Sequence, residues 1–208
     1  MTLFVMNTEI FTKLAKLFND RGYRLYMIGG TTRDYLLNKE VLDYDFVSDA
    51  TPSEIKKFLP EANYQFERFG TVRVKVDGVH VDITTLRTEG EYLDFRHPSK
   101  ITYVKDINKD YIRRDFTINA IYMDENFNII DPSNGVEDLK KGIIRFIGDP
   151  EKRIKEDPLR ILRAERFEIK LNFIIEDNSL MAIKKYRYLL DKINPDKIKE
   201  EERKTFKK

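Results

Sequence analysis

Cysteine and tryptophan are absent from the 208-residue chain, and only two histidines occur. Without cysteine there are no disulfides and no thiolate metal sites, and two histidines leave little for a zinc shell. Any metal would therefore be a hard cation held by carboxylates. No apolar run approaches the roughly 20 residues that a bilayer helix needs, which excludes a helical span. The opening Met1-Thr2-Leu3-Phe4-Val5-Met6 carries no basic stretch and is too short for a signal peptide. The expectation is a cytoplasmic protein without a membrane partner. Internal repeats and low-complexity tracts are missing too.

Charge is abundant instead. Charged residues make up 36% of the chain, with 38 Lys+Arg against 36 Asp+Glu, where a globular domain has about 25%. Hydrophobic residues at 41% suffice for a core. The small net charge of +2 hides an asymmetry: residues 1–150 hold 24 acidic and 21 basic side chains, and residues 151–208 hold 12 and 17. A carboxylate-metal site beside a polyanion-binding surface would need that arrangement. Solvated helix faces rich in Lys and Glu would produce it as well.

The first 150 residues alternate helix and strand signals. Ile10, Phe11, Leu14, Leu17 and Phe18 fall at helical spacing, and Gly22 closes that helix. Residues 24–28 read as a strand running into Gly29-Gly30, then a helix over 31–37, with a strand at 44–47. Thr51-Pro52-Ser53-Glu54 is a capping box with Pro at N1. Asp77-Gly78 between 71–76 and 79–83 is a type I′ hairpin signal. Further strands are expected at 101–104, 121–123, 129–131 and 143–147, with a helix near 111–119. After Pro150 the strand signals cease, and Asp157-Pro158, Asp177-Asn178 and Asn194-Pro195 each start a helix. The fold class is α+β: a mainly hairpin-built mixed sheet over 1–149, then an all-α part over 150–208. The last helix has only Ile198 and Phe206 as large apolar residues, so it frays or packs on something absent from the chain.

Gly29-Gly30-Thr31-Thr32-Arg33-Asp34 lies at a strand-to-helix turn, where glycines admit a ligand and helix N–H groups suit phosphate. An ordinary turn reads the same way. Thirteen residues after Gly30, Asp43-Tyr44-Asp45 enters a strand and puts two carboxylates on one side. Their repulsion favours a cation between them, as a Mg²⁺ site requires. In the hairpin, Val72, Val74, Val76, Val79, Val81 and Ile83 share the core face. Asp82 then faces the other side opposite Arg73, either as a third carboxylate or as an ion-pair partner.

With these residues in place a resemblance emerges. Met27-Ile28-Gly29-Gly30-Thr31-Thr32-Arg33-Asp34 with Asp43-Tyr44-Asp45 resembles the first motif of the class II tRNA nucleotidyltransferases (CCA-adding enzymes) and bacterial poly(A) polymerases. These belong to the polymerase-β-like nucleotidyltransferase superfamily. Arg113-Arg114-Asp115-Phe116-Thr117-Ile118-Asn119-Ala120-Ile121 resembles the second motif, which handles the ribose. Asp131-Pro132-Ser133-Asn134-Gly135 resembles the third, a hinge between head and neck domains. The run from Glu156-Asp157-Pro158-Leu159-Arg160 through Arg163-Ala164-Glu165-Arg166-Phe167 resembles the fourth, which selects the nucleotide. The resemblance implies a nucleotidyltransferase head over 1–149 and a helical neck over 150–208. It implies that Asp43 and Asp45 hold Mg²⁺, with Asp82 as the third catalytic acid. One metal would activate an RNA 3′-hydroxyl and the other would bind the triphosphate. Gly29, Gly30, Arg33, Arg114, Asp115 and Asn119 would contact the nucleotide, as would Asp157, Arg160, Arg163 and Arg166.

Asp157 and Arg160 also allow a chemical reading. Cytosine and adenine each present an exocyclic amine beside a ring-nitrogen acceptor. A carboxylate accepts from the amine and a guanidinium donates to the ring nitrogen. Uracil and guanine invert the pattern, so an Asp/Arg pair selects C and A without a template. Asp157 before Pro158 is equally a helix N-cap, and a cap leaves one oxygen free.

Relatives of this kind continue into helical body and tail domains that grip tRNA. Here residues 189–198 resemble the late neck motif loosely, with Asp196-Lys197 where Glu-Arg is usual. The chain is therefore expected to stop before body and tail, with a partner chain or self-association supplying tRNA-binding helices. The segment 88–100, with Asp94-Phe95-Arg96, resembles the loop that accompanies A addition. The implied function is addition of C and/or A to the 3′ end of tRNA from CTP and ATP. The alternatives are a poly(A) polymerase, or an RNA-binding remnant or half of a split enzyme.

Overall fold

The computed structural model describes residues 6–92 and 98–206. Asp94-Phe95-Arg96 lies outside the described residues. Contacts divide the chain into two compact units. The first draws on residues 1–88, 101–111 and 119–132, the second on 89–100, 112–118 and 133–208. The expected division at 149/150 cuts the chain once, whereas each unit gathers several segments.

In the first unit, α1 (Thr8–Asn19) buries Ile10, Phe11, Leu14 and Phe18 along one stripe and is capped by Asn7. Next come β1 (Leu25–Met27), α2 (Gly29–Leu36), β2 (Tyr44–Ser48) and α3 (Pro52–Ile55). Thr51 and Glu54 form the expected capping box at α3. Then follow β3 (Thr71–Val76), β4 (Val79–Thr85), β5 (Arg87–Glu89), β6 (Ile101–Tyr103), α4 (Ile107–Asp110), β7 (Tyr122–Met123) and β8 (Ile129–Ile130). Six strands form one sheet in the order β3-β4-β2-β1-β7-β8. β2 and β4 run parallel, while the other neighbours run antiparallel.

The β3–β4 register is Val72 with Ile83, Arg73 with Asp82, Val74 with Val81 and Val76 with Val79. Asp77 and Gly78 both have positive φ, 51° and 85°, as a type I′ turn requires. The valines therefore share the core face and Asp82 the opposite one, as the alternation predicts. Met27, Tyr44, Phe46, Val72, Val74, Val81 and Ile83 pack with the apolar stripe of α1. Phe11 meets Phe46 edge-on at 5.0 Å between ring centroids. The other cluster holds Ile28, Val47, Leu86, Ile107 and Tyr122. Asp45 alternates with Phe46 and so stands on the Val47 side of its strand.

The second unit contains α5 (Gly135–Lys141), β9 (Ile143–Ile144), α6 (Pro150–Glu156), α7 (Leu159–Leu171), β10 (Ile174–Ile175), α8 (Asp177–Tyr186) and α9 (Pro195–Phe206). Phe116 packs on Phe146 and Phe167, at 4.8 and 5.7 Å between centroids. Two expectations are corrected here. The part after Pro150 is helical but not all-α, because Ile174–Ile175 forms a short parallel pair with Ile143–Ile144. The helix expected near 111–119 is also absent: α4 ends at Asp110, and only the 3₁₀ turns Tyr111–Arg113 and Thr117–Asn119 follow. Between them the backbone pairs with residues 145–147, as Thr117 N donates to Arg145 O and Ile147 N to Asp115 O. Tertiary pairing overrides the local helix signal. No helix of the described residues is long and apolar enough to cross a membrane.

Candidate active site

Gly29 follows β1 with φ +66°, a conformation that suits glycine, and opens α2. Buried Thr31, two residues on, fastens the carboxylate strand: its hydroxyl donates to Asp43 O at 3.0 Å and accepts from Asp45 N at 2.7 Å. Ile28 N adds a bond to Asp45 O at 3.2 Å. The Gly-Gly turn and the Asp43-Tyr44-Asp45 segment are thus one hydrogen-bonded assembly, with both aspartates exposed. A Cβ built on Gly29 would stand 3.7 Å from Asp45 Oδ2.

Asp45 and Asp82 are in register on β2 and β4. The Asp82 carboxylate is held by Arg73 through two hydrogen bonds, Nε to Oδ1 at 2.6 Å and Nη2 to Oδ2 at 2.7 Å. Asp82, through these bonds and its charge, holds the Arg73 guanidinium above its ordinary value, with added pulls from Asp43 and Asp45. All three carboxylates therefore act on one cation. Of the two sequence readings for Asp82, the ion pair with Arg73 is formed. Arg33 is buried rather than projecting outward. It bridges Asp34, at 2.9 Å from both Nε and Nη2, and Asn119, at 2.7 Å from Nη1.

In the second unit, Asp115 accepts from Phe116 N at 2.7 Å and forms an ion pair with Arg163 at 2.5 Å. Arg166 pairs with Glu201 of α9 at 2.9 Å, so the last helix is held by charge and has no buried residue of its own. Asp157 Oδ1 accepts from Leu159 N at 3.1 Å, which is the expected cap of α7. Arg160 is buried with Nη1 donating to Arg153 O at 2.8 Å and Glu156 Oε2 at 2.9 Å. Its guanidinium also stands 5.8 Å from the ring centroid of Tyr92. Asp157 and Arg160 are joined through backbone, Arg160 N to Asp157 O at 3.1 Å. Arg114 presents its carbonyl to Arg153 Nη2 at 2.8 Å.

A family model described as the poly A polymerase head domain matches residues 25–145. The chain belongs to this family. Among curated relatives, it is 44% identical over 196 residues to the CCA-adding enzyme of Lactobacillus helveticus, covering 93% of this chain and 49% of that protein. It is 42% identical over 182 residues to the CCA-adding enzyme of Staphylococcus haemolyticus, covering 86% and 46%. The chain thus spans about half the length of the curated relatives it matches. The crystal structure of Bacillus stearothermophilus CCA-adding enzyme with CTP aligns with a TM-score of 0.88 at 33% identity, covering 96% of this chain and 49% of that one. A Thermotoga maritima CCA-adding enzyme complexed with tRNA aligns with a TM-score of 0.76 at 29% identity, covering 96% and 47%.

For this poly A polymerase head family member, the donor set can be tested against a hard cation. Among the described residues, no group of three or more His, Asp or Glu is arranged to hold a metal. Two exposed carboxylates beside a glycine turn nevertheless fit Mg²⁺, which commonly takes one or two protein carboxylates and completes its shell with phosphate oxygens and water. Sequence reasoning missed two supporting residues. Thr31 carried no signal beyond its place in the motif. Arg153 carried none either: it lies with Glu156 on α6 while Arg160 lies on α7, so the break between the helices is what brings both cations to one carboxylate.

Proposed function

We propose that the chain is the catalytic part of a cytoplasmic, template-independent RNA nucleotidyltransferase. It adds C and A to the 3′ end of tRNA from CTP and ATP, releasing pyrophosphate. The reading is carried by Asp43 and Asp45, whose backbone Thr31 locks beside the Gly29-Gly30 turn. The two aspartates would hold Mg²⁺, which when bound supplies charge neutralisation for the phosphates and the attacking oxygen. In the reaction the RNA 3′-oxygen forms a bond to the α-phosphorus while the bond to pyrophosphate breaks. Gly29 and Gly30 let the triphosphate approach the backbone, and the free N–H groups of α2 face it. Arg33 and Asn119 fix each other as a preset polar wall for the nucleotide. Asp82 is the third acid and is balanced by Arg73 until substrate arrives.

Selection belongs to the second unit. Asp157, which caps α7, accepts from an exocyclic amine, while Arg160 donates to the ring nitrogen. Arg163 steadies Asp115, which with Arg114 handles the ribose side, and Arg166 lies one turn further along α7. The relatives' names favour CCA addition over poly(A) synthesis.

The test supplies Mg²⁺, single labelled nucleotides and tRNAs ending before C, after CC, or complete. CTP then ATP use on the incomplete tRNAs, with none on the complete one, is expected. Long A tracts on arbitrary RNA would show a poly(A) polymerase, and no incorporation anywhere would sink the enzyme reading.

A further inference from the structure

We infer that Arg153 is a positioning residue for nucleotide selection, holding Arg160 and the Arg113-Arg114-Asp115 segment in one fixed arrangement; this rests on the base-reading role given above to Asp157 and Arg160. Arg153 is almost wholly buried. Burying a guanidinium is costly unless hydrogen bonds meet its donors. Nη1 and Nη2 of Arg153 meet that demand, while its buried Nε has no hydrogen-bond partner among the described residues. Nη1 donates to Glu156 Oε2 at 2.5 Å. Nη2 donates to two successive carbonyls, Arg113 O and, at 2.8 Å, Arg114 O. Glu156 Oε2 is the same oxygen that takes Arg160 Nη1 at 2.9 Å, and Arg153's own carbonyl takes that nitrogen at 2.8 Å. Burial, and then the charge of Arg160, hold the Arg153 guanidinium below its ordinary value. The two cations thus share one carboxylate and cannot shift independently.

The planar fork matters, because one arm serves the carboxylate while the other serves the backbone that carries Arg114 and Asp115. A lysine has the charge without the fork and cannot span both. A neutral side chain removes the Arg153 donor from both carbonyls, leaves Arg113 O the longer 3.5 Å bond from Arg160 Nη2, and gives Glu156 entirely to Arg160.

The decisive measurement is equilibrium binding of CTP, ATP and UTP, with Mg²⁺, to wild type, Arg153→Lys, Arg153→Met, Glu156→Gln and Arg160→Ala, alongside thermal melting. Wild type should prefer CTP and ATP to UTP, and Arg160→Ala should lose the preference. Folded Arg153→Lys should lose about tenfold of the CTP-over-UTP preference, the scale of a displaced bidentate base contact. Folded Arg153→Met and Glu156→Gln should lose at least as much. If Arg160→Ala loses the preference while every folded variant at 153 and 156 keeps it, Arg153 has no positioning role. If wild type shows no preference, or Arg160→Ala retains it, the base-reading assignment itself fails and takes this one with it.

Discussion

Asp82 stands directly beside Asp45 on the parallel pair β2–β4, yet its carboxylate is turned to Arg73 across the hairpin. An exposed pair of this kind contributes little to stability, about 1 kcal/mol or less. Arg73→Met should therefore change stability by no more than that and lower incorporation by less than about tenfold. Asp82→Asn should lower single-turnover incorporation by about a hundredfold, as loss of a charge acting at the reacting phosphate does. Equal losses in the two variants would reduce Asp82 to a partner of Arg73.

Asp43 and Asp45 are two residues apart and both exposed, and the repulsion between their like charges is a cost of the unliganded fold. Asp43→Ala or Asp45→Asn should hold or raise the melting temperature while abolishing incorporation. A melting scan beside the tRNA assay separates this from unfolding. Full activity in either variant would refute the metal assignment.

Asp157 has two jobs that substitution can separate. Asparagine caps a helix about as well as aspartate, so Asp157→Asn should change stability by only a few tenths of a kcal/mol, while Asp157→Ala should cost about 1 kcal/mol. Both should lose discrimination against UTP, because neither offers a carboxylate to the exocyclic amine. Selectivity that tracked stability across the two would leave Asp157 with capping alone.

Tyr92 supplies a pH-dependent expectation. Burial, and then the charge of hydrogen-bonded Glu89, push its phenol up to about 12. The unfolded chain ionises such a phenol near 10. Between these values the unfolded state binds fewer protons, so stability falls as pH rises. Its contribution is fully present below pH 10 and is lost progressively towards about 12. Tyr92→Phe should flatten that alkaline limb in a melting-temperature profile; an unchanged slope would place the titration elsewhere.

Much of the site's framework could be read before any coordinates because its signals are local. The Asp77-Gly78 turn sets the hairpin register, and that register alone decides that Asp82 and Arg73 share a face. Thr51 and Asp157 announce their caps within three residues. What escaped depended on distant chain. The helix expected near 111–119 does not form because the backbone bonds of Asp115 and Thr117 go to residues 145–147. Ile174–Ile175 is too short to signal a strand without its partner Ile143–Ile144. Arg33 was legible as a nucleotide contact but not as the partner of Asn119, 86 residues away, which takes its Nη1.

The period-two alternation of β3 and β4 carries an evolutionary consequence. Side chains switch faces with every residue, so inserting or deleting one residue within β4, between the Asp77-Gly78 turn and Asp82, would send that carboxylate into the apolar layer and a valine towards Asp45. The hairpin can drift in composition, but that stretch of it is frozen in length.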